Sequence, residues 1–417
     1  MDKKITVAIL GCGNRGVAYA KLLIKKSSFE IVALCDRAEK QMVRLSEVCE
    51  LKNVLTFTNA DSFLERKYAD FLIIASDDRA HVPQCVKALE LGYDVLLEKP
   101  ISDNREEVKT LLETQERTGR KVIVCHVLRY GPGFRFCGDL LKKGAIGTLY
   151  AIDATERIIY WHWAQAYVRG IGASLKEGHP AILAKCCHDL DLIQSYAGSE
   201  CETVSSIGSL RFFKIENAPE GASEKCVNCQ YMDTCVYSAK RVYVDRWKDR
   251  NRPEYAWPFS EVTTQNPLTE EALWEGIKNG VYGQCVFHCK VDKVDHQLVQ
   301  MKFRNGVCAS LTMAYAAEPG RRIVFYGTNG ELTLDERTEK IELWVYGEEK
   351  QVFSIADTLN GAVAHGGGDE GLINELCDIL TGKVPCTTTL KESLESHLMG
   401  IAAEESRLNG GKLVQVH

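Results

Sequence analysis

The sequence contains no apolar stretch that approaches the roughly 20 residues needed to span a bilayer. It also contains no long basic run, and its 51 lysines and arginines are outnumbered by 57 aspartates and glutamates, which gives a net charge of −6. These absences argue against a membrane or a nucleic acid as the main partner. The N-terminus leads directly into the apolar run 5–10, which is too short and wrongly flanked for a secretion signal, so we expect a cytoplasmic protein.

The composition that is present is ordinary for a soluble globular protein, with 45% hydrophobic and 26% charged residues. A length of 417 residues allows two or three domains and a sizeable core. The 17 cysteines are a high and odd number. In a chain of this size without a secretion signal, they indicate reduced thiols or a metal site rather than a disulfide framework.

The N-terminal third alternates strand patterns with helix patterns. Apolar runs occupy 5–10, 31–35, 71–75, 93–97 and 122–127. Helical patterns fill the gaps, for example at 14–26, 79–91 and 104–118. Continuous apolar strands separated by helices are typical of a parallel sheet covered on both faces. We therefore predict a doubly wound α/β domain over residues 1–126.

The turn after the first strand carries a dinucleotide-binding fingerprint, G-x-G-x-x-G. Gly11 allows the tight turn, Gly13 lets the backbone approach a pyrophosphate, and Gly16 permits close packing of helix on strand. Asp36, at the end of the second strand, could accept hydrogen bonds from ribose hydroxyls and would repel a 2′-phosphate. We therefore favour NAD over NADP, although Arg37 could pair with a phosphate. A glycine-rich turn without a nucleotide is the alternative.

Lys99 lies just past the apolar run 93–97, at the edge of a parallel sheet where ligands bind. An amine beside an oxidised nicotinamide suggests hydride transfer from an alcohol. The loop after the apolar run 71–75 should lie near the same nicotinamide, although Ser76 or Asp78 could simply cap the next helix. The predicted cofactor-binding residues are Gly11, Gly13, Asn14, Arg15, Gly16, Asp36, Arg37, Ser76, Asp78, His81, Glu98 and Lys99.

These motifs in this order resemble the Gfo/Idh/MocA family of glucose–fructose oxidoreductase and inositol dehydrogenase. The resemblance rests on the fingerprint, Asp36 and Glu98-Lys99-Pro100, and it continues through 126–130, 144–147 and 327–332. It implies a Rossmann domain followed by an α/β domain over 127–417, whose open, mostly antiparallel sheet covers the substrate and mediates homo-oligomers. It also implies that Lys99 points at the substrate from a turn whose Lys–Pro bond can be cis.

The resemblance makes His188 the active-site histidine, which could act as general acid or base. Family members often carry an aspartate four residues before it, but this chain has Ala184 there, followed by Lys185. Lys185 could act as a donor or base, or bind an anionic substrate, or be a surface amine. Asp189 or Asp191 could supply the missing carboxylate. The predicted catalytic residues are Lys99, His188 and Lys185.

A polar and aromatic segment between 153 and 180 suggests a platform for a sugar ring, because aromatic faces stack on pyranoses; ordinary core aromatics are the alternative. A loop with three glycines after His365 could also approach a ligand, although Asp369 could simply cap the helix that follows. The predicted substrate-binding residues are Arg129, Tyr160, Trp161, His162, Arg169, Asp191 and His365.

Residues 215–285 differ from the rest in composition and form a cysteine-rich insertion. Cys226 and Cys229 form a C-x-x-C pair, Cys235 follows, and thiolates at such spacing suit tetrahedral zinc. Cys285 is our first choice as fourth ligand, ahead of Cys289 and His288. An iron–sulfur cluster fits the thiols too, and free cysteines in a packed loop are the remaining alternative.

The sequence therefore predicts an NAD-dependent oxidoreductase acting on a hydroxyl of a sugar, glycoside or cyclitol. One alternative is an NAD-dependent glycosidase that oxidises C3 transiently and then eliminates the aglycone. The other is a non-catalytic NAD-binding regulator, against which the intact Lys99 and His188 argue.

Overall fold

The computed structural model describes residues 4–249, 257–265, 267–356 and 367–417. Its first sheet has six parallel strands. They are β1 (Ile5–Leu10), β2 (Phe29–Cys35), β3 (Leu55–Phe57), β4 (Phe71–Ile74), β5 (Asp94–Leu97) and β6 (Val122–Val124). The strand order β3-β2-β1-β4-β5-β6 reverses direction between β1 and β4, which opens a crevice at the carboxyl ends of those strands.

Five helices belong to this first domain, and the sheet is buried between layers as the continuous apolar runs predict. They are α1 (Asn14–Leu23), α2 (Glu39–Val48), α3 (Ala60–Phe63), α4 (His81–Glu90) and α5 (Arg105–Thr118). The local sequence explains the limits of α5, because Asn104 caps its first turn and Gly119 ends it in the left-handed region at φ 63°. The doubly wound fold is confirmed.

The second sheet has nine strands and is mixed. They are β7 (Leu149–Ile159), β8 (Cys201–Ser209), β9 (His296–Phe303), β10 (Cys308–Ala316), β11 (Gly320–Gly327), β12 (Gly330–Asp335), β13 (Lys340–Val345), β14 (Gln351–Ser354) and β15 (Val414–Gln415). Their order is β14-β13-β12-β11-β7-β10-β9-β8-β15. Among the described pairings, β7 runs parallel to β10 and the others are antiparallel, so the predicted mostly antiparallel sheet is confirmed.

The other helices of the described ranges pack on this sheet, against the first domain or within the insertion. They are α6 (Pro132–Lys142), α7 (Tyr160–Trp163), α8 (Ala181–Ala184), α9 (Cys187–Ala197), α10 (Arg246–Asp249), α11 (Phe259–Val262), α12 (Glu270–Asn279), α13 (Gly368–Leu380) and α14 (Leu390–Leu408). Short 3₁₀ turns span Asp78–Ala80, Val127–Tyr130, Ile171–Ala173, Ile215–Asn217, Cys226–Asn228 and Val281–Gly283, and π-helical turns span Ala164–Val168 and Lys240–Asp245. Of the helices in the described ranges, none combines the length and the apolar character needed to cross a bilayer.

The last two helices return to the first domain. One face of α13 joins the core that contains β1 and α1, through Leu372, Ile373, Leu376 and Ile379. The α14 helix reaches the turn after β5, where His397 Nε2 accepts a hydrogen bond from the Ile101 amide at 2.9 Å. The two domains therefore share packing around the end of β5.

Leu376→Ala tests this shared packing. Leu376 is fully buried, so its truncation should lower the free energy of unfolding by about 2–5 kcal/mol. The measurement is urea unfolding followed by circular dichroism. Leu408→Ala is the control, because Leu408 is 69% exposed and should change stability by no more than about 0.5 kcal/mol. Equal effects of the two substitutions would contradict the packing of α13 on the first domain.

Candidate active site

The three fingerprint glycines have distinct structural roles. Gly11 has φ +97°, and a Cβ there would lie 2.2 Å from the Ala75 carbonyl oxygen. A Cβ on Gly16 would lie 2.1 Å from the Gly11 carbonyl oxygen. A Cβ on Gly13 would meet no atom within 4 Å, so the backbone there faces open space. Two glycines thus shape the turn, and Gly13 leaves room for a ligand to approach the main chain.

The open space in front of Gly13 is suited to a dinucleotide. The first hydrogen bond of α1 runs from the Val17 amide to the Gly13 carbonyl at 3.0 Å, so the preceding amides lie at the positive end of the helix. Asp36 Oδ2 accepts from the Cys12 amide and Oδ1 from the Ala38 amide, both at 2.8 Å. These bonds fix the carboxylate, whose remaining lone pairs can accept ribose hydroxyls. The residues present therefore fit NAD.

Arg37 lies beside this carboxylate but carries its own acid. Its guanidinium pairs with Asp77 at 3.0 Å, and the Arg37 side chain is 80% exposed. Because of this pairing, the Arg37 guanidinium is less available to bind a 2′-phosphate.

The insertion reaches the nucleotide turn, a contact that the sequence did not predict. Asn14 Nδ2 donates to Glu261 Oε1 at 2.8 Å, and Ser260 Oγ donates to Asn14 Oδ1 at 3.1 Å. Lys40 Nζ donates to Thr264 Oγ1 at 2.9 Å. Segment 257–265 therefore borders the proposed cofactor site, although it lies about 250 positions along the chain from Asn14 and no local signal announces the contact.

Arg15 is partly exposed and binds two buried carboxylates. Its Nε contacts Glu98 Oε1 at 2.5 Å, and its Nη2 contacts Asp369 Oδ1 at 2.7 Å. Tyr19 Oη donates to Glu98 Oε1 at 2.6 Å. Burial alone would raise the pKa of Glu98, but Arg15 and Lys99 outweigh it and hold the pKa below its ordinary value. Glu98 and Asp369 thus hold Arg15, which lies in the fingerprint turn.

Lys99 projects from the turn after β5, where the Lys99–Pro100 bond is cis. Its Nζ donates to the Ala184 carbonyl at 3.2 Å. His81 braces this turn, with Nδ1 2.8 Å from the Pro100 carbonyl and Nε2 3.2 Å from the Ser76 carbonyl. The residue at the position of the family's usual aspartate therefore contacts the lysine through its main chain.

Ser76 and Asp78 lie at the start of the helical segment that follows β4. Ser76 Oγ donates to Gln84 at 2.5 Å, and Asp78 opens the 3₁₀ turn that precedes α4. Their cofactor role stays a prediction.

The carboxylate that faces Lys185 comes from β7. Lys185 Nζ lies 3.2 Å from Glu156 Oε1. Arg321, on β11, contacts Glu156 Oε2 at 3.0 Å and Asp189 Oδ1 at 2.8 Å. Burial favours the neutral form of both acids. Arg321 and Lys185 nevertheless lower the pKa of Glu156, whereas burial and the Glu156 charge leave that of Asp189 raised.

His188 lies in the first turn of α9 and is 6% exposed. Its ring is edge-on to that of His126, with centroids 5.9 Å apart. His126 is fully buried and lies 3.8 Å from Asp191, and burial together with Arg129 and Lys99 lowers the pKa of its imidazole. The His126 imidazole, whose charged form is disfavoured, therefore lies beside His188, and in the sequence it stood out only as part of the motif at 126–130.

Two predicted substrate ligands pair with each other. Arg129 Nε and Nη2 contact the two oxygens of Asp191 at 2.7 and 2.8 Å. This bidentate pair is buried and links the segment after β6 to α9. Its position supports a structural role better than the substrate-binding role predicted for Arg129 and Asp191.

The predicted aromatic platform packs on the insertion. The Tyr160 ring lies 5.8 Å from that of Tyr237. Trp161 is 7% exposed, with the Arg246 guanidinium carbon 3.9 Å from its ring centroid. The His162 ring lies 4.6 Å from that of Trp257. These contacts favour the alternative of core aromatics for Trp161, whereas the roles of Tyr160 and His162 stay predictions.

Arg169 and the four predicted metal ligands lie around one cavity. Arg169 is 1% exposed and binds main-chain oxygens of the insertion, which does not support a role in substrate binding. Cys226, Cys229, Cys235 and Cys285 line a cavity beside it. In the ranges that the structure describes, no three His, Cys, Asp or Glu side chains are arranged as a metal site. His365 lies outside the described residues.

Two family models match the chain. One, described as "Oxidoreductase family, NAD-binding Rossmann fold", matches residues 5–126, and the other, "Oxidoreductase family, C-terminal alpha/beta domain", matches residues 139–416. The Bacillus subtilis protein YteT is 25% identical over 406 residues, which covers 90% of this chain and 89% of that protein. An alpha-N-acetylgalactosaminidase of Bacteroides fragilis is 24% identical over 183 residues, covering 39% of this chain and 43% of the enzyme.

A solved structure shares the complete fold. The scyllo-inositol dehydrogenase of Lactobacillus casei superposes with a TM-score of 0.67 at 15% identity, covering 100% of this chain and 99% of that one. At this identity the likeness shows the fold alone. The match of both family models, over nearly the whole chain, shows that the protein belongs to the Gfo/Idh/MocA oxidoreductase family.

Proposed function

We propose that the chain is an NAD-dependent oxidoreductase that acts on a hydroxyl of a sugar, a glycoside or a cyclitol. The observation that carries the proposal is the position of Lys99. Its amine lies at the carboxyl end of β5, 3.2 Å from the Ala184 carbonyl, on a turn whose Glu98 is bonded to the first helix of the nucleotide site. An amine in that position can meet the hydroxyl of a substrate that lies against the nicotinamide.

The chain's own groups divide the work as follows. When bound, NAD⁺ would take a hydride from the carbinol carbon. Lys99 Nζ accepts the hydroxyl proton, and His188 is the second group that can hold it. Lys185, fixed by Glu156, donates a hydrogen bond to a neighbouring oxygen of the substrate. Asp36 orients the cofactor and disfavours the 2′-phosphate of NADP.

A redox-neutral glycosidase is the second candidate, and two observations favour it. Segment 257–265 is bonded to the nucleotide turn through Asn14, which suits a cofactor that stays bound through a closed redox cycle. Lys185 follows the residue whose carbonyl Lys99 contacts, and its amine is a second candidate base for removal of the C2 proton after oxidation at C3. Elimination would then expel the aglycone, and water addition and reduction would complete the cycle.

The nine-stranded sheet also supports the proposed homo-oligomer. Ile207 and Leu298 lie opposite each other on β8 and β9 and are 59% and 43% exposed. Large apolar side chains on an open sheet face are typical of surfaces that a second copy covers.

Product accounting separates the two candidates. The purified protein is incubated with NAD⁺ and a panel of free sugars, glycosides and cyclitols, while reduced nicotinamide and released sugar are both measured. Stoichiometric NADH supports the dehydrogenase, and glycoside cleavage without net NADH supports the glycosidase. No turnover of any member of a broad panel would favour the regulator.

Lys99→Ala should reduce turnover by about 10²–10⁴-fold, because it removes the proposed general base. The affinity for NAD, measured by quenching of intrinsic fluorescence, should stay unchanged. Lys109→Ala, at a 67% exposed side chain on α5, is the matched control. Retained turnover in the Lys99 variant would contradict the proposal.

Asp36→Asn keeps the size of the side chain but removes its charge. The loss of charge-assisted hydrogen bonds to the ribose, worth about 1.5–3 kcal/mol, should weaken NAD binding by about tenfold or more. Binding of NADP should weaken less, so the ratio of NAD affinity to NADP affinity should fall. Asp61→Asn, at the exposed partner of Lys87, serves as control. An unchanged ratio of NAD to NADP affinity would count against the role of Asp36.

Glu156→Gln should lower kcat by about tenfold or more while NAD affinity stays constant, because Lys185 and Arg321 lose their shared counter-charge. Steady-state kinetics and cofactor titration give the two values. Glu342→Gln, at the exposed partner of Lys350, is the control. If Glu156→Gln left kcat intact, Lys185 would not depend on this pairing for its function.

A further inference from the structure

Four thiols from two distant stretches of the insertion meet around one cavity. Cys226, Cys229, Cys235 and Cys285 line it, and its volume is about 20 Å³. The backbone brings the stretches together, because Lys225 forms a bridge with Gln284 and the Cys285 amide donates to the Glu224 carbonyl at 2.8 Å. The oxidoreductase chemistry proposed above uses none of these thiols.

A buried cation lies against the same cavity. Arg169 is 1% exposed, and its Nε donates to the Gln284 carbonyl at 2.8 Å. Its Nη2 donates to the Tyr237 carbonyl at 2.7 Å and lies 3.7 Å from the Cys226 sulfur. These bonds tie both cysteine-bearing stretches to one guanidinium.

Within the part of the chain that the structure describes, this guanidinium lacks the counter-charge that buried arginines normally have. Among the described residues no carboxylate pairs with Arg169, and its Nη1 has no hydrogen-bond partner. An uncompensated buried charge costs several kcal/mol, so such cations are normally paired. The groups placed to supply negative charge are the thiols, which become anions when a metal ion binds them.

We propose that Cys226, Cys229, Cys235 and Cys285 bind a structural zinc ion, with Arg169 as the counter-cation of the thiolate site. Each thiol gives up its proton on binding, so one Zn²⁺ and four thiols yield a dianionic site and four released protons. The C-x-x-C pair gives the local bite, and Cys285 closes the tetrahedron at Zn–S distances of about 2.3 Å.

The four thiols line the cavity without converging on one point, since the described ranges contain no three side chains arranged to hold a metal. Zinc binding therefore requires the thiols to turn between staggered rotamers about a backbone that Arg169 already holds in place. Zinc would then tie 226–235 to 285, on either side of the segment that reaches Asn14. Zinc would therefore stabilise the folded structure of the insertion and would take no part in the redox step.

The test begins with the intact chain. Purified protein, produced with zinc in the medium, is passed through a desalting column and analysed for metals by mass spectrometry. We expect about one zinc per chain. Chelation should release it and expose four more thiols to alkylation, a comparison that needs no variant. Absence of zinc, iron in its place with visible charge-transfer absorption, or zinc release without newly reactive thiols would each overturn the proposal.

Variants then identify the ligands. Cys229→Ser and Cys285→Ser should each weaken zinc affinity by well over the roughly 10-fold that outer-shell changes cost. Cys308→Ser, at an exposed thiol on β10, and Cys289→Ser should both retain zinc. Loss of zinc in Cys289→Ser with retention in Cys285→Ser would overturn the fourth ligand, and retention in both ligand variants would overturn the site.

Discussion

The carboxylate of Glu98, only 4% exposed, is the group on which the arrangement of the active site depends. It binds Arg15 of α1 and Tyr19, and one of its oxygens also accepts from the Lys99 amide at 2.9 Å. Arg15 in turn contacts Asp369 of α13. One buried ion network therefore joins the nucleotide turn, the catalytic turn and the C-terminal helix.

Such a network is costly to break, because removing one partner leaves an unpaired buried charge at about 3–5 kcal/mol. Its geometry is set by packing, since α13 fills the same core as β1 and α1. The lysine that we place at the substrate is thus fixed by contacts between distant parts of the chain. Arg15 and Asp369, for example, are more than 350 positions apart. Positioning of this kind is what hydride transfer requires, because reacting atoms must meet in a narrow range of geometries.

The first domain could be predicted because its signals are local. Gly11, Asp36 and the alternation of apolar runs with helical patterns are signals carried by neighbouring residues, and the six-stranded sheet confirms the fold that the alternation predicts. The position of Lys99 at a strand end follows from the same signals.

The second domain could be predicted only in outline, because its site depends on long-range pairing. Lys185 pairs with Glu156, from β7, while Asp189 joins the same cluster through Arg321 and Asp191 pairs with Arg129. Arg169 and Trp161 lie next to polar and aromatic neighbours in the sequence, but their side chains point into the insertion, and side-chain direction is not encoded in composition. The approach of Glu261 to Asn14 has no local signature at all.

The most direct test of hydride transfer at this site is a single-turnover experiment, observed in a rapid-mixing instrument. Enzyme loaded with NAD⁺, in excess over a substrate found in the screen, is mixed and the absorbance of reduced nicotinamide is recorded alongside product formation. The account predicts a rise in that absorbance no slower than product formation, which persists in a dehydrogenase and decays again in a glycosidase. The account would be contradicted if product formed while the nicotinamide signal stayed flat, recorded at a time resolution well below the turnover time, and if no isotope passed from the substrate carbon to the nicotinamide.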